Sequence, residues 1–207
     1  MSFPCISRQY PLILASSSPR RKRLLEQISI PFRPITIDVT ENCRIDDPKT
    51  ASVFLAEKKA VKGHAISGDL WVLGADTMVA IDGRILGKPG NKEDARKMLS
   101  LLSGKEHRVI TGFCIINPAL ETVHSEAVST LVRIKKLKQS EIKNYIDTGE
   151  PFGKAGSYAI QGVGSFMVET ISGSYTNVVG LPVCALIKAL VSVGALKKRR
   201  AIYRKTS

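Results

Sequence analysis

An apolar run from Pro11 to Ala15 stops at Ser16-Ser17-Ser18-Pro19-Arg20-Arg21, where a helical pattern begins. That order reads as a strand delivering the chain into a helix, the opening unit of an α/β fold. Pro19 suits a first helical position, because its missing N–H would be unpaired there anyway, and three serine hydroxyls stand ready to cap the helix. The first turn of a helix offers free N–H groups and the positive end of its dipole, and here two guanidiniums accompany them. An anion placed at that point meets donors from backbone and side chains together, and polyphosphate is the guest that fits. The competing reading of the same residues is a capped helix with solvated arginines.

The rest of the chain alternates between the two element types. Pro31 to Asp38 is a second strand leading into an acidic loop with Glu41, Asp46 and Asp47, and Asp47-Pro48 opens a long helix to about His64. Leu70 to Gly74 is an apolar strand ending in Ala75-Asp76-Thr77. Met78 to Ile81 and Arg84 to Leu86 flank Asp82-Gly83, a type I′ hairpin signal, and Gly87-Lys88-Pro89 closes the hairpin. Asn91 caps a helix that Ser103-Gly104 ends. Val109 to Ile116 and Thr122 to Ile134 read as antiparallel strands, followed by a helix over Glu141 to Ile146 and a glycine-rich loop from Thr148 to Gly156. Ser157 to Ile160 is expected to be extended, Phe166 to Ile171 a strand and Leu181 to Leu196 a closing helix. Parallel-capable strands mixed with hairpins imply a mixed sheet.

Composition closes several other routes. With 43% hydrophobic and 24% charged residues over 207 positions, the chain is globular, and one domain over 1–196 with a basic tail over 197–207 is expected. The net charge of +13 owes six positive residues to Lys197, Lys198, Arg199, Arg200, Arg204 and Lys205, and another four to Arg133, Lys135, Lys136 and Lys138. Solvated faces explain most of that excess. Cys5, Cys43, Cys114 and Cys184 form no close pair and read as free cytosolic thiols. No apolar stretch suits a membrane span, and His64, His107 and His124 lack zinc spacing. Gly83-Arg84-Ile85-Leu86-Gly87-Lys88 misses a P-loop by one residue and by Pro89 where a Ser or Thr would bind metal.

Ligands of α/β sheets bind outside strand ends, so Ser16, Glu41, Asp76 and Lys88, each expected just after a strand, form one set. Two carboxylates with several cations suit magnesium and polyphosphate, since magnesium takes one or two carboxylates, waters and phosphate oxygens.

On these residues the chain resembles the Maf family of nucleoside triphosphate pyrophosphatases from about Leu12 to Pro182. Ala15 to Arg21, Leu55-Ala56-Glu57-Lys58-Lys59-Ala60, Gly74-Ala75-Asp76-Thr77, Gly87-Lys88-Pro89, Lys154 to Gly162 and Ser174 to Pro182 carry the resemblance. Departures are Gly153 where many members have Asp, Cys43 in the acidic loop, and the basic tail. The resemblance implies a mixed twisted sheet flanked by helices, similar to inosine triphosphatases, with the site in a cleft between two lobes. It further implies a cytoplasmic homodimer that hydrolyses a nucleoside triphosphate to a monophosphate and pyrophosphate with a divalent cation, Mg or Mn. Ser16, Arg20, Arg21, Lys59, Lys88 and Lys154 would then surround the triphosphate. Glu41 and Asp76 would hold metal, with Asp76 also the candidate general base; metal ligation lowers a carboxylate's basicity, so the two roles compete.

Arg20, Thr77 and Tyr158-Ala159-Ile160-Gln161-Gly162 match the branch of the family that acts on dTTP and UTP. A glutamine amide presents a donor beside an acceptor, complementing the O4 and N3–H edge of uracil and thymine. Alternatives are the branch acting on 7-methylguanosine triphosphate, a nucleic-acid-binding protein using the basic segments, and a division-control protein with weak catalysis. Only Tyr203 supplies an aromatic to the tail, so specific nucleic-acid binding is not expected.

Overall fold

The computed structural model describes residues 3–39 and 45–197. Among them, seven strands form one mixed sheet: β1 (Leu12–Ala15), β2 (Phe32–Ile35), β3 (Val72–Ile81), β4 (Arg84–Leu86), β5 (Glu106–Ile116), β6 (Thr122–Ile134) and β7 (Val168–Ser172). Hydrogen-bonded neighbours run β2-β1-β3-β5-β6-β7, with β4 on β3. β1 pairs in parallel with β2 and β3, whereas β3–β4 and β6–β7 are antiparallel. The helices are α1 (Pro19–Gln27), α2 (Pro48–Ser67), α3 (Lys92–Leu102), α4 (Gln139–Asp147), α5 (Tyr175–Val179) and α6 (Val183–Ser192). The α/β class with a mixed sheet is as the sequence predicts.

Local chemistry sets most boundaries. Asp47 caps α2 by accepting from the Thr50 N–H at 2.8 Å, and the Thr50 hydroxyl beside it holds the Asp47 carboxyl below its usual range. Asn91 caps α3 through the Asp94 N–H at 2.9 Å. Asp82 and Gly83 have φ of 49° and 73°, the pair of positive angles a type I′ turn needs.

The chain divides into two compact units. One contains the chain up to Asp76, Thr111–Val128 and the stretch from Gly180; the other contains Thr77–Ile110 and Ser129–Val179. In the first, Ile13, Ala15, Ala56, Ala60, Val72, Cys114 and Ile116 pack together. The buried face of α2 is mostly small (Ala51, Ser52, Ala56, Ala60 and Gly63), which lets the helix lie close to the strands. Gly74 on β3 is required there: a Cβ would stand 2.0 Å from the Ala56 carbonyl oxygen. Gly112 on β5 is equally confined, since a Cβ there would stand 2.3 Å from the Ser52 carbonyl carbon. In the second unit, Leu99, Leu102, Val132, Ile142, Tyr145 and Met167 belong to a separate core.

Five expectations change. β3 runs unbroken from Val72 to Ile81, so Asp76 lies inside a strand and not after its end; with Lys59 to neutralise it, the carboxylate gives the strand no reason to stop. No side-chain hydrogen bond caps α1 at Ser18, because the hydroxyl positioned for backbone contact is that of Ser16, which accepts from Ser18 N–H at 3.3 Å. Ser157 to Ile160 is not a strand: a 3-10 turn covers Ala155–Ser157, with Gly156 and Ser157 both at positive φ. β7 begins only at Val168, since Val163–Met167 is a 3-10 segment. The closing helix is only Val183–Ser192, entered from Pro182, and α5 precedes it. Glu41, Cys43 and the tail beyond Lys197 lie outside the described residues. Cys5, Cys114 and Cys184 are free thiols, and no described helix is long and apolar enough to cross a membrane.

Candidate active site

In the first unit, β1 ends directly at Ser16, whose hydroxyl is buried and accepts from Arg21 Nη1 at 3.0 Å. The Nε of Arg21 donates to the Gly180 carbonyl at 2.8 Å. A guanidinium pinned at two points by neutral acceptors fixes the turn between strand and helix, so Arg21 has a scaffold role that sequence spacing does not reveal. Arg20, its neighbour on the first turn, is half-buried.

The close seating of α2 has a chemical consequence. Lys59 lies on the buried face of that helix and Asp76 on the strand beside it, and Lys59 Nζ meets Asp76 Oδ1 at 2.5 Å with each side chain only 11% exposed. Two buried charges gain little net stability, because the cost of desolvating them offsets most of their attraction. A pair of this kind is better explained by chemistry than by folding. Asp76 is one buried carboxylate, which fits a magnesium-like cation only if phosphate oxygens and waters complete the shell. Among the described residues no group of three metal-ligating side chains exists.

The second unit contains Thr77, half-buried at its first position, and Lys88, exposed just after β4. Gly156 N–H donates to the Gly87 carbonyl at 3.1 Å, so the segments carrying Lys88 and Lys154 are bonded to each other. Gly156 is held at φ of 70°, with the Val79 side chain 3.0 Å from where a Cβ would stand. Lys154 Nζ donates to the Glu150 carbonyl. Gln161 is half-buried in the following loop, and its amide has no hydrogen-bond partner among the described residues. That removes the reading of Gln161 as a glutamine bonded to its own loop.

Glu150, Tyr145 and His107 carry no signal in the sequence that singles them out. Glu150 is legible there only as part of a glycine-rich loop, although its carboxylate accepts from Val163 and Gly164 N–H groups and from the Tyr145 hydroxyl. The buried His107 ring lies 2.7 Å from the Tyr158 hydroxyl, and burial pushes its pKa down to about 4. Two of the four cations in the basic segment after Val132 are paired, Arg133 with Glu169 at 3.0 Å and Lys135 with Glu141 at 2.7 Å, while Lys136 and Lys138 are exposed.

The family model for Maf-like protein matches residues 11–193. A dTTP/UTP pyrophosphatase of Citrifermentans bemidjiense is 47% identical over 186 residues, covering 89% of this chain and 96% of that protein. A dTTP/UTP pyrophosphatase of Thermococcus onnurineus is 48% identical over 171 residues, 83% of this chain and 91% of that one. Among solved structures, the Staphylococcus aureus Ham1 protein is similar over 60% of this chain and 71% of its own, at 14% identity and a TM-score of 0.43. With a family model matched along most of its length and relatives at nearly half identity, the chain belongs to the Maf-like protein family.

Proposed function

We propose that this chain is a nucleoside triphosphate pyrophosphatase that hydrolyses dTTP and UTP, and modified pyrimidine nucleotides of the same edge, to the monophosphate and pyrophosphate. The observation that carries the reading is the buried Lys59–Asp76 pair, in a chain whose near relatives bear the name dTTP/UTP pyrophosphatase. Water attacks the α-phosphorus, the bond to the β-phosphate oxygen breaks, and pyrophosphate leaves. Asp76 receives the proton of the attacking water, and Lys59 opposes negative charge beside it. Ser16, Arg20, Arg21, Lys88 and Lys154 supply donors and positive charge to the triphosphate, where positioning and charge neutralisation dominate the rate. A divalent cation, Mg or Mn, held by Glu41 would neutralise phosphate oxygens and acidify water, and Asp76 joining that shell would give up basicity for ligation. Gln161 reads the O4 and N3–H edge, with Arg20 and Thr77 contributing to base choice. A cytoplasmic homodimer belongs to the same reading and rests on the family likeness.

Pyrophosphate release assayed over dTTP, UTP, CTP, ATP, GTP and 7-methylguanosine triphosphate with magnesium, manganese or cobalt tests it. Release from dTTP and UTP ahead of the others is expected. Both nucleotides left intact with every metal would sink the reading, and orthophosphate as the direct product would move attack to the γ-phosphorus. Preference for 7-methylguanosine triphosphate would reassign the branch.

A further inference from the structure

We propose that Glu150 is a positioning residue for base choice: its carboxylate, relayed by the Tyr145 hydroxyl, fixes the turn that presents Gln161. The inference rests on Gln161 being the base reader and concerns the second unit alone. Glu150 Oε2 accepts from Val163 N–H at 2.8 Å, and Oε1 accepts from Gly164 N–H and from the Tyr145 hydroxyl, each at 3.2 Å. The same hydroxyl oxygen accepts from Ala159 N–H at 3.2 Å. Ile160-Gln161-Gly162 is therefore gripped on both sides, at Ala159 before it and at Val163 and Gly164 after it.

The anchor is fixed in its turn. Tyr145 projects from α4 and is 1% exposed, so its hydroxyl cannot follow a moving loop. Gly162 adopts φ of 89°, and a Cβ there would stand 2.9 Å from Glu150 Oε2. Gly164 is confined as well, since a Cβ would lie 2.5 Å from the Ala159 carbonyl oxygen. Glycine is required at Gly162 by its positive φ and at Gly164 by the close approach of the Ala159 carbonyl and the Tyr145 hydroxyl. Bonds to an ionised acceptor are the stronger kind, and discrimination between two nucleobase edges needs the reading group held to within a fraction of an ångström. The Glu150 main-chain carbonyl also accepts from Lys154 Nζ, so one residue ties the base reader to a candidate phosphate ligand.

Steady-state kcat/KM for UTP and CTP, measured on the full chain, tests the inference. The variants are Glu150→Gln, Tyr145→Phe, Gln161→Glu and the Glu150→Gln/Gln161→Glu double. Glu150→Gln keeps the shape but turns an amide N–H₂ toward donors, and the ratio of UTP to CTP should fall by roughly 5- to 30-fold. Tyr145→Phe, which keeps the packing and loses only the relay, should lower the ratio by about 2- to 5-fold. In the Gln161→Glu background, Glu150→Gln should change the ratio little further, because the two act through one contact. Equal losses for UTP and CTP, or additive losses in the double variant, would make Glu150 a support of the fold and overturn the inference. If Glu150→Gln is unfolded by circular dichroism, the ratio measured on Tyr145→Phe decides between the same two outcomes. A wild-type chain with no preference between UTP and CTP would instead remove Gln161 as the base reader, and this inference with it.

Discussion

The two units carry their candidate functional side chains on different kinds of backbone. In the first, Lys59 and Asp76 stand on a 20-residue helix and a 10-residue strand, and small residues seat one against the other. In the second, Lys154 and Gln161 stand on loops whose shape comes from glycines at positive φ and from a single carboxylate. Regular elements hold a geometry through many weak contacts, whereas a loop held by a few strong bonds can change its sequence with little effect on the core. On the proposed reading, bond-breaking chemistry falls to the rigid part and base choice to the adjustable one.

The largest expected effect breaks the rigid side. Asp76→Asn keeps the size and removes the charge, and pyrophosphate release should fall at least ~100-fold. It also removes the carboxylate that meets the buried Lys59 ammonium, which should lower stability, so denaturant unfolding should be followed in parallel. A folded variant with near-full turnover would take Asp76 out of the mechanism and leave the contrast between the units without its chemical half.

The same contrast governs what can be read from the amino acids alone. Caps and turns act over three or four residues, so Asp47, Asn91 and Asp82-Gly83 announce α2, α3 and the hairpin, and the structure places each as expected. Lys59 and Asp76 are legible as members of motifs, but their contact depends on Gly74 letting α2 approach, which no local pattern encodes. The segment leading to Gln161 reads as extended in the sequence, and it forms no strand: Ser157 sits at φ of 63°, with Tyr158 extended after it. Its shape is set by Glu150 reaching backbone N–H groups 13 and 14 residues away, and no periodicity marks such a bond. Arg21 carries a second role that spacing hides: a guanidinium on a first helical turn reads as an anion ligand, and here it also fixes its own turn through Ser16 and Gly180.

Next in size is a change confined to the adjustable side. Gln161→Glu removes the amide donor and leaves an acceptor facing O4, so kcat/KM for UTP should drop by about one to two orders of magnitude. CTP, whose N4 amine can donate to the new carboxylate, should lose less. Unfolding by denaturant should stay near wild type, because Gln161 is half-buried and no described residue depends on its amide. A large stability loss would contradict the separation of base choice from the core.

The smallest effect vanishes at neutral pH and sharpens the comparison from within the second unit. His107 on β5 is 1% exposed beside Tyr158, whose phenol burial pushes up and keeps protonated. Burial lowers the His107 pKa from 6.5 to about 4, so the folded chain holds it neutral where the unfolded chain binds a proton. Between those two values the unfolded state carries more protons, and stability should fall as pH drops from about 6.5 to about 4. At ~1.4 kcal/mol per unit the loss is at most about 3.5 kcal/mol, fully developed below the folded value and absent above 6.5. His107→Leu should abolish that slope in urea titrations run across the window, whatever it does to the absolute stability. The UTP to CTP ratio at neutral pH should not move, since His107 supports the core and touches neither Glu150 nor Gln161 in any hydrogen bond. Parallel acid profiles for wild type and variant would show that another group drives the loss, and a shifted ratio would show that core and loop are coupled.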